Sequence, residues 1–126
     1  MKLSNLLVVS AVIGAVFGLA FLVASGPFAA LYGITLDKAG MLLAQLFGAA
    51  LIAFAVLNWL ARNVTDREAR QAVVLANLTG DAIGFVVVLI GQLAGITNVL
   101  GWSTVGIYLL LALGFAYIQF MQPRDA

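Results

Sequence analysis

The chain is short and strongly apolar: of its 126 residues, 64% are hydrophobic and 9% are charged, with a net charge of +1. A soluble domain of this size cannot bury so much apolar surface, so the composition predicts an integral membrane protein without a nucleic-acid partner. The absence of cysteine and histidine excludes disulfides, thiolate or imidazole metal sites and Cys- or His-based catalysis. We therefore expect no cofactor, no metal site and no catalytic residue.

Four hydrophobic stretches predict four helices, at about residues 5–25, 41–61, 66–95 and 101–121. Each is about long enough to cross a ~30 Å hydrocarbon core at 1.5 Å per residue. Lipid offers no hydrogen bonds to the backbone, so spanning segments of this length must be helical. The prediction is an all-α membrane protein, a single domain over residues 1–126 that forms a four-transmembrane-helix, up-down-up-down bundle.

The first stretch also has features of a secretory signal. Lys2 precedes the apolar run, and Val23, Ala24 and Ser25 resemble a cleavage site. The run is longer than the about 7–15 residues of a usual signal core, so we interpret it as a retained helix.

The basic residues predict the orientation. With four spans, the termini and the loop between the second and third helices share a side, which carries five basic residues, whereas the other side carries Lys38. By the positive-inside rule, both termini should be cytoplasmic. The alternative is that these five basic residues form a docking surface for a partner. They are Lys2, Arg62, Arg67, Arg70 and Arg124.

Local signals mark the helix starts. Thr65 and Glu68 have the spacing of a capping box, so the third helix should begin near Asp66. Asp37 is suited to cap the second helix.

The loop over residues 26–40 is the longest connection. Pro27 suits the first turn of a short helix, which Gly33 would end. Phe28, Leu31 and Tyr32 would form its apolar face on the membrane surface. An interfacial connector is the main reading, and a lid over the bundle is the alternative.

Small residues recur on one face of the first three helices. Lipid tails do not drive helices together, so close packing depends on small side chains and interhelical hydrogen bonds. Three GxxxG motifs and coherent rows of small residues therefore predict helix contacts at Gly14, Gly18, Gly48, Gly80, Gly84, Gly91 and Gly95.

Asp81 is the one carboxylate deep inside a hydrophobic run, and it shares the glycine face of the third helix. An ionised Asp at a helix centre costs roughly 2.5–3.5 kcal/mol on insertion scales, so we expect it to be neutral at pH 7 and to donate a hydrogen bond. The candidate partners are Asn77, Gln45 and Tyr117.

Three readings of Asp81 stay open. It can belong to a polar clamp that fixes the helix register, it can contact a polar headgroup, a quinone-like ligand or a proton, or it can serve catalysis. A lone carboxylate without a second acid or a histidine makes a poor catalytic site. Tyr108 is a secondary site candidate, whereas water should satisfy Gln92, Thr97 and Asn98 near the outer interface.

Four segments carry a family resemblance: YGITLDKAG (32–40), LNWLAR (57–62), VLANLTGDAIG (74–84) and LGFAYIQF (113–120). Together they resemble small uncharacterised bacterial membrane proteins, loosely similar to the DoxX-like group. The resemblance implies a four-helix bundle in a prokaryotic inner membrane. Some DoxX-like proteins are linked to quinone-dependent oxidation, but no redox residue of this chain can be matched to that activity.

The sequence thus favours a non-enzymatic integral membrane protein that is an accessory or structural subunit of a membrane assembly. The alternative is a small ligand-binding or proton-linked transport protein that uses Asp81. Expected partners are the lipid bilayer and either further copies of the chain or a larger complex, with a lipid or a quinone as the candidate ligand.

Overall fold

A computed structural model describes residues 2–122, and all regular structure in this range is helical. Four segments are long and apolar enough to cross a membrane, which confirms the four predicted spans: Leu3–Val23, Lys38–Ala61, Arg67–Leu93 and Gly101–Met121. The helices are α1 (Leu3–Val23), α2 (Ser25–Leu31), α3 (Lys38–Ala61), α4 (Arg67–Leu93) and α5 (Gly101–Ala116), and α5 continues into a π-helical turn, Tyr117–Met121.

The helices associate mainly as two pairs, of which α1 with α3 is the more extensive. Their backbones approach closely at Gly18 and Gly48. A Cβ at Gly18 would lie 2.9 Å from the carbonyl oxygen of Gly48, and a Cβ at Gly14 would lie 3.2 Å from that of Leu51. Because glycine alone leaves room for such backbone contact, these three glycines determine how near the two helices can lie.

The second pair is α4 with α5, and it is built differently. A Cβ at Gly84 would overlap the ring of Tyr108, whose Cδ1 atom would be 2.7 Å away. This glycine therefore accommodates an aromatic side chain rather than a neighbouring backbone.

The two pairs meet at one end of the bundle, which we call the terminal end. Its core contains the fully buried Phe115 and side chains from all four long helices. The buried members of this core are Leu3, Leu6, Leu7, Ala61, Val74, Leu111 and Phe115. Away from this end, α3 and α4 make few contacts, so the pairs diverge.

At the opposite end, the loop end, the connections are joined by hydrogen bonds around Asn98. Its backbone NH donates to the carbonyl of Tyr32 (2.9 Å), and its side chain donates to the carbonyl of Leu31 (2.9 Å). Gln92 donates to the carbonyl of Asn98 (3.1 Å) and accepts from the Thr97 hydroxyl (2.6 Å). These three polar side chains thus have partners within the protein in addition to any water, and Asn98 ties α2 to the α4–α5 connection.

The helix α2 confirms the short helix predicted after residue 25, but its apolar face turns inward. Phe28 packs edge-to-face on Phe17 (centroids 5.6 Å apart), on Phe21 (5.0 Å) and on Tyr32 (5.5 Å). Phe28 therefore packs against α1, whereas Leu31 is exposed. These contacts favour the lid alternative.

The helix ends follow local side-chain chemistry. Asp37 caps α3, as predicted, by accepting from the backbone NH of Gly40 (2.6 Å). The cap of α4 is Asp66, which accepts from the NH of Ala69 (2.9 Å), so the capping box on Thr65 is wrong by one residue. Both side chains satisfy a backbone donor that the first helical turn leaves unpaired.

Three of the glycines expected at helix contacts do not lie at one. Among residues 2–122, a Cβ at Gly80, Gly91 or Gly95 would meet no atom within 4 Å beyond the adjoining backbone. Gly95 has φ +77° and ends α4, with the NH of Ile96 bonded to the carbonyl of Gly91 (3.0 Å). This is the Schellman arrangement, which favours glycine because of its positive φ. Gly33, at φ +79°, ends α2 in the same way, as predicted.

Candidate functional site

A cleft of about 700 Å³ lies between the two helix pairs. It exists because the pairs meet at the terminal end and diverge above it. Its walls are mostly apolar and come from α1, α3, α4 and α5, and Gly80 and Gly91 lie along it. These glycines lack packing partners because they face the cleft. Ala29, Tyr32, Ile34 and Leu36, from α2 and the segment after it, close its loop end.

A polar network forms the floor of the cleft. The side-chain amides of Asn58 on α3 and Asn77 on α4 exchange two hydrogen bonds, of 2.9 and 2.8 Å. Asn58 also donates to the hydroxyl of Ser10 on α1 (3.1 Å), and Asn77 donates to the carbonyl of Val73 (2.9 Å). Asn58 is 1% exposed and Asn77 is 4% exposed. Since buried amides must be paired, this network fixes α1, α3 and α4 relative to one another.

Asp81 lies one helical turn beyond Asn77 and lines the cleft. Its Oδ2 atom is buried and has no hydrogen-bond partner among residues 2–122. A buried polar atom without a partner is uncommon, because its desolvation is left uncompensated.

The structure does not bring together the predicted clamp around Asp81. Asn77 is engaged with Asn58, Gln45 is exposed, and Tyr117 is 44% exposed within the π-helical turn. The clamp is therefore formed by Asn77 with Asn58 and Ser10, and Asp81 is not part of it.

Aromatic side chains line the part of the cleft beyond Asp81. Phe21 and Phe47 pack edge-to-face, with centroids 5.4 Å apart, and join α1 to α3. The aromatic residues of the lining, which include the predicted secondary candidate Tyr108, are Phe17, Phe21, Tyr32, Phe47, Phe54 and Tyr108.

Sequence reasoning did not single out Ser10 and Asn58 as site residues. Asn58 falls on the same row of α3 as Gly48 and Ala55, a spacing that places it on the face turned to α1. A polar side chain on a face that packs against another helix was the signal by which Asn58 could have been found. Within residues 2–122, no cluster of three or more His, Cys, Asp or Glu side chains forms a metal centre.

Four of the basic residues predicted to mark the cytoplasmic side lie outside the cleft: Lys2, Arg62, Arg67 and Arg70. Lys2 and Arg67 are exposed. Arg62 is partly buried: its guanidinium stacks over the ring of Trp59, 4.0 Å from the centroid, and donates to the Trp59 carbonyl. Arg124 lies outside the described residues.

The fold and the cleft place this chain in the class of helical proteins with four candidate membrane spans. An apolar cleft lies between its two helix pairs. The chain belongs to the family described as "Domain of unknown function (DUF8292)", whose model matches residues 1–121. No curated protein and no solved structure matches the chain.

Proposed function

We propose that this protein is a non-enzymatic, multi-pass membrane protein that binds an apolar molecule, such as a lipid chain, in the cleft. The observation that carries the proposal is the cleft itself. Its volume of about 700 Å³ falls within the range of about 300–1,000 Å³ typical of small-molecule sites. Its mostly apolar walls suit a ligand that partitions into a bilayer, and the four candidate spans would give such a ligand lateral access from lipid.

The polar groups of the cleft support binding rather than packing alone. The Ser10–Asn58–Asn77 network already performs the register-fixing role that a structural clamp needs. Asp81 takes no part in this network, and its buried Oδ2 atom has no hydrogen-bond partner among the residues that the structure describes. Of the readings that the sequence left open, the geometry thus favours a ligand-binding one.

Filling the cleft tests the proposal. Gly91→Leu should occupy part of it without disturbing a helix contact, because a Cβ at this position meets no atom within 4 Å. Gly106→Leu is the matched control: it replaces a helical glycine that also has open space around it but lies outside the cleft. A photoreactive long-chain alcohol with a diazirine group serves as the probe, and mass spectrometry maps its cross-links.

Cross-links to cleft residues should form in the wild-type chain and in Gly106→Leu, and they should fall strongly in Gly91→Leu. Cross-links spread evenly over the outer faces of the helices, with no difference among the three proteins, would contradict a binding cleft.

The second candidate function is an accessory or structural subunit of a membrane assembly, and the buried Asn58–Asn77 network favours it. A rigid bundle held by interhelical amides suits a scaffold for further copies of the chain or for another membrane protein. This reading predicts that gentle detergent extraction yields a defined oligomer or complex. Gly91→Leu should not change its size. Light scattering combined with chromatography measures this directly.

We further propose an up-down-up-down arrangement in a prokaryotic inner membrane with both termini cytoplasmic. The order of contacts supports it, because Gly14 lies near Leu51 whereas Gly18 lies near Gly48. The basic residues support the orientation, and the loose resemblance to DoxX-like bacterial proteins supports the choice of membrane. Since the chain has no cysteine, Lys38→Cys and Lys2→Cys give single labelling sites. An impermeant maleimide should label the first in intact cells and the second after permeabilisation, and the reverse pattern would contradict the orientation.

A further inference from the structure

The charge pattern of the cleft restricts the kind of ligand it can hold. Within residues 2–122, Asp81 is the only Asp, Glu, Lys or Arg that lines the cleft. A ligand with a phosphate or carboxylate in the cleft would meet no basic side chain there, so its charge would be buried without a partner. A cationic ligand would instead find its counter-charge, because Oδ2 of Asp81 has no hydrogen-bond partner in the same range of residues.

The aromatic walls favour the same ligand chemistry. Aromatic faces attract cations through the ring quadrupole, and the attraction is strongest where water is excluded. Six aromatic residues line the cleft together with Asp81. Several are held by edge-to-face contacts, including Phe21 with Phe47 (5.4 Å) and Phe28 with Tyr32 (5.5 Å), so the walls are pre-organised.

The neighbourhood of Asp81 is also fixed by packing. Gly84 lies one helical turn after Asp81, and a Cβ there would overlap the Tyr108 ring. The ring therefore packs against α4 within a turn of the carboxyl group. On the other side, the amides of Asn58 and Asn77 are hydrogen-bonded to each other and are not free to donate to Asp81.

We propose that the cleft binds a hydrophobic monovalent cation, such as a lipophilic amine or quaternary ammonium compound, with Asp81 as its counter-charge and the aromatic side chains as its walls. This inference rests on the proposed function and specifies the ligand class of the same cleft. The volume of about 700 Å³ accommodates a drug-sized cation.

The test compares two ions of nearly the same size and shape but opposite charge. Tetraphenylphosphonium and tetraphenylborate are titrated into the full chain in detergent, with protein-free micelles subtracted. Tetraphenylphosphonium should bind and tetraphenylborate should not. Asp81→Asn should weaken phosphonium binding about 10- to 100-fold, the factor typical of a lost partner to a charged group. Asp66→Asn is the matched control, because Asp66 lies outside the cleft and Asn is also a good helix cap.

A second readout uses the unmodified protein, so that it does not depend on the folding of Asp81→Asn. A hydrophobic carbodiimide labels protonated carboxyl groups within the bilayer region. Tetraphenylphosphonium should slow labelling of Asp81, because the bound cation requires the ionised carboxylate, and tetraphenylborate should not. Equal labelling with and without phosphonium would overturn the inference.

Failure of this inference is distinguishable from failure of the proposed function. The cleft binds apolar molecules without selecting cations if three results are found together. Both ions bind with the same affinity, Asp81→Asn leaves both affinities unchanged, and Gly91→Leu weakens the binding of both. If neither ion binds and the diazirine alcohol shows no cleft-specific cross-links, both proposals are overturned.

Discussion

Asn58 carries the strongest prediction about stability, because its amide forms three interhelical hydrogen bonds. Such bonds average about 0.6 kcal/mol in membrane bundles and reach about 1.7 kcal/mol. Asn58→Ala should therefore reduce the free energy of unfolding by roughly 2–5 kcal/mol. Asn77→Ala, which removes the two shared bonds, should cost roughly 1–3 kcal/mol, and Ser10→Ala about 0.6–1.7 kcal/mol.

The double variant, Asn58→Ala with Asn77→Ala, measures the interaction energy between the two side chains. Because each single substitution already removes both shared bonds, the double variant should be more stable than the sum predicts by roughly 1–3 kcal/mol. Unfolding with increasing sodium dodecyl sulfate in mixed micelles, followed by circular dichroism, measures these free energies.

Gln45→Ala is the control for this series. It removes an exposed amide and should change the free energy of unfolding by less than about 0.5 kcal/mol. A coupling energy near zero, or a loss in Ser10→Ala equal to that in Asn58→Ala, would refute the assignment of the network as the element that fixes the register.

Three other substitutions test the fold, and two of them have a control substitution. Gly18→Leu should destabilise the chain by about 1–3 kcal/mol or prevent folding, because its Cβ would meet a carbonyl oxygen of α3, whereas Gly106→Leu should leave the unfolding curve within experimental error. Asp66→Ala should cost about 0.5–2 kcal/mol by removing the α4 cap, and Thr65→Ala should cost little; comparable losses in these two variants would favour the capping box. Asn98→Ala should cost about 1 kcal/mol and speed amide exchange in the segment after α2, and unchanged exchange would show that this residue does not hold the lid.

The membrane spans could be predicted from the sequence because their causes are local. A run of about 20 apolar residues must form a helix in lipid wherever it lies in the bundle. Asp37 and Gly33 mark helix ends through contacts with backbone groups only a few residues away. Local signals can still misplace a helix cap by one residue. The cap of α4 is Asp66, but the neighbouring Thr65 has a side chain that is also suited to cap a helix.

The roles of the glycines could not be predicted in the same way. Gly14 and Gly18 form one GxxxG motif, and Gly80 and Gly84 form another, yet Gly18 lies at a backbone contact and Gly80 faces open space. A glycine in a helix permits a close approach but does not determine whether a neighbour makes it. That depends on how far the two helix pairs diverge.

The surroundings of Asp81 likewise depend on tertiary structure. Its depth and its position on the glycine face follow from helical geometry, at 1.5 Å and about 100° per residue. The relative translation of α3 and α4 decides which amide lies opposite, and it brings Asn58 to Asn77 while Gln45 stays exposed. Local patterning thus specified the spans, the cap of α3 and a carboxyl group deep in the third span. The tertiary structure decided that this group lines a cleft, because the packing of separate helices depends on long-range contacts that no local spacing specifies.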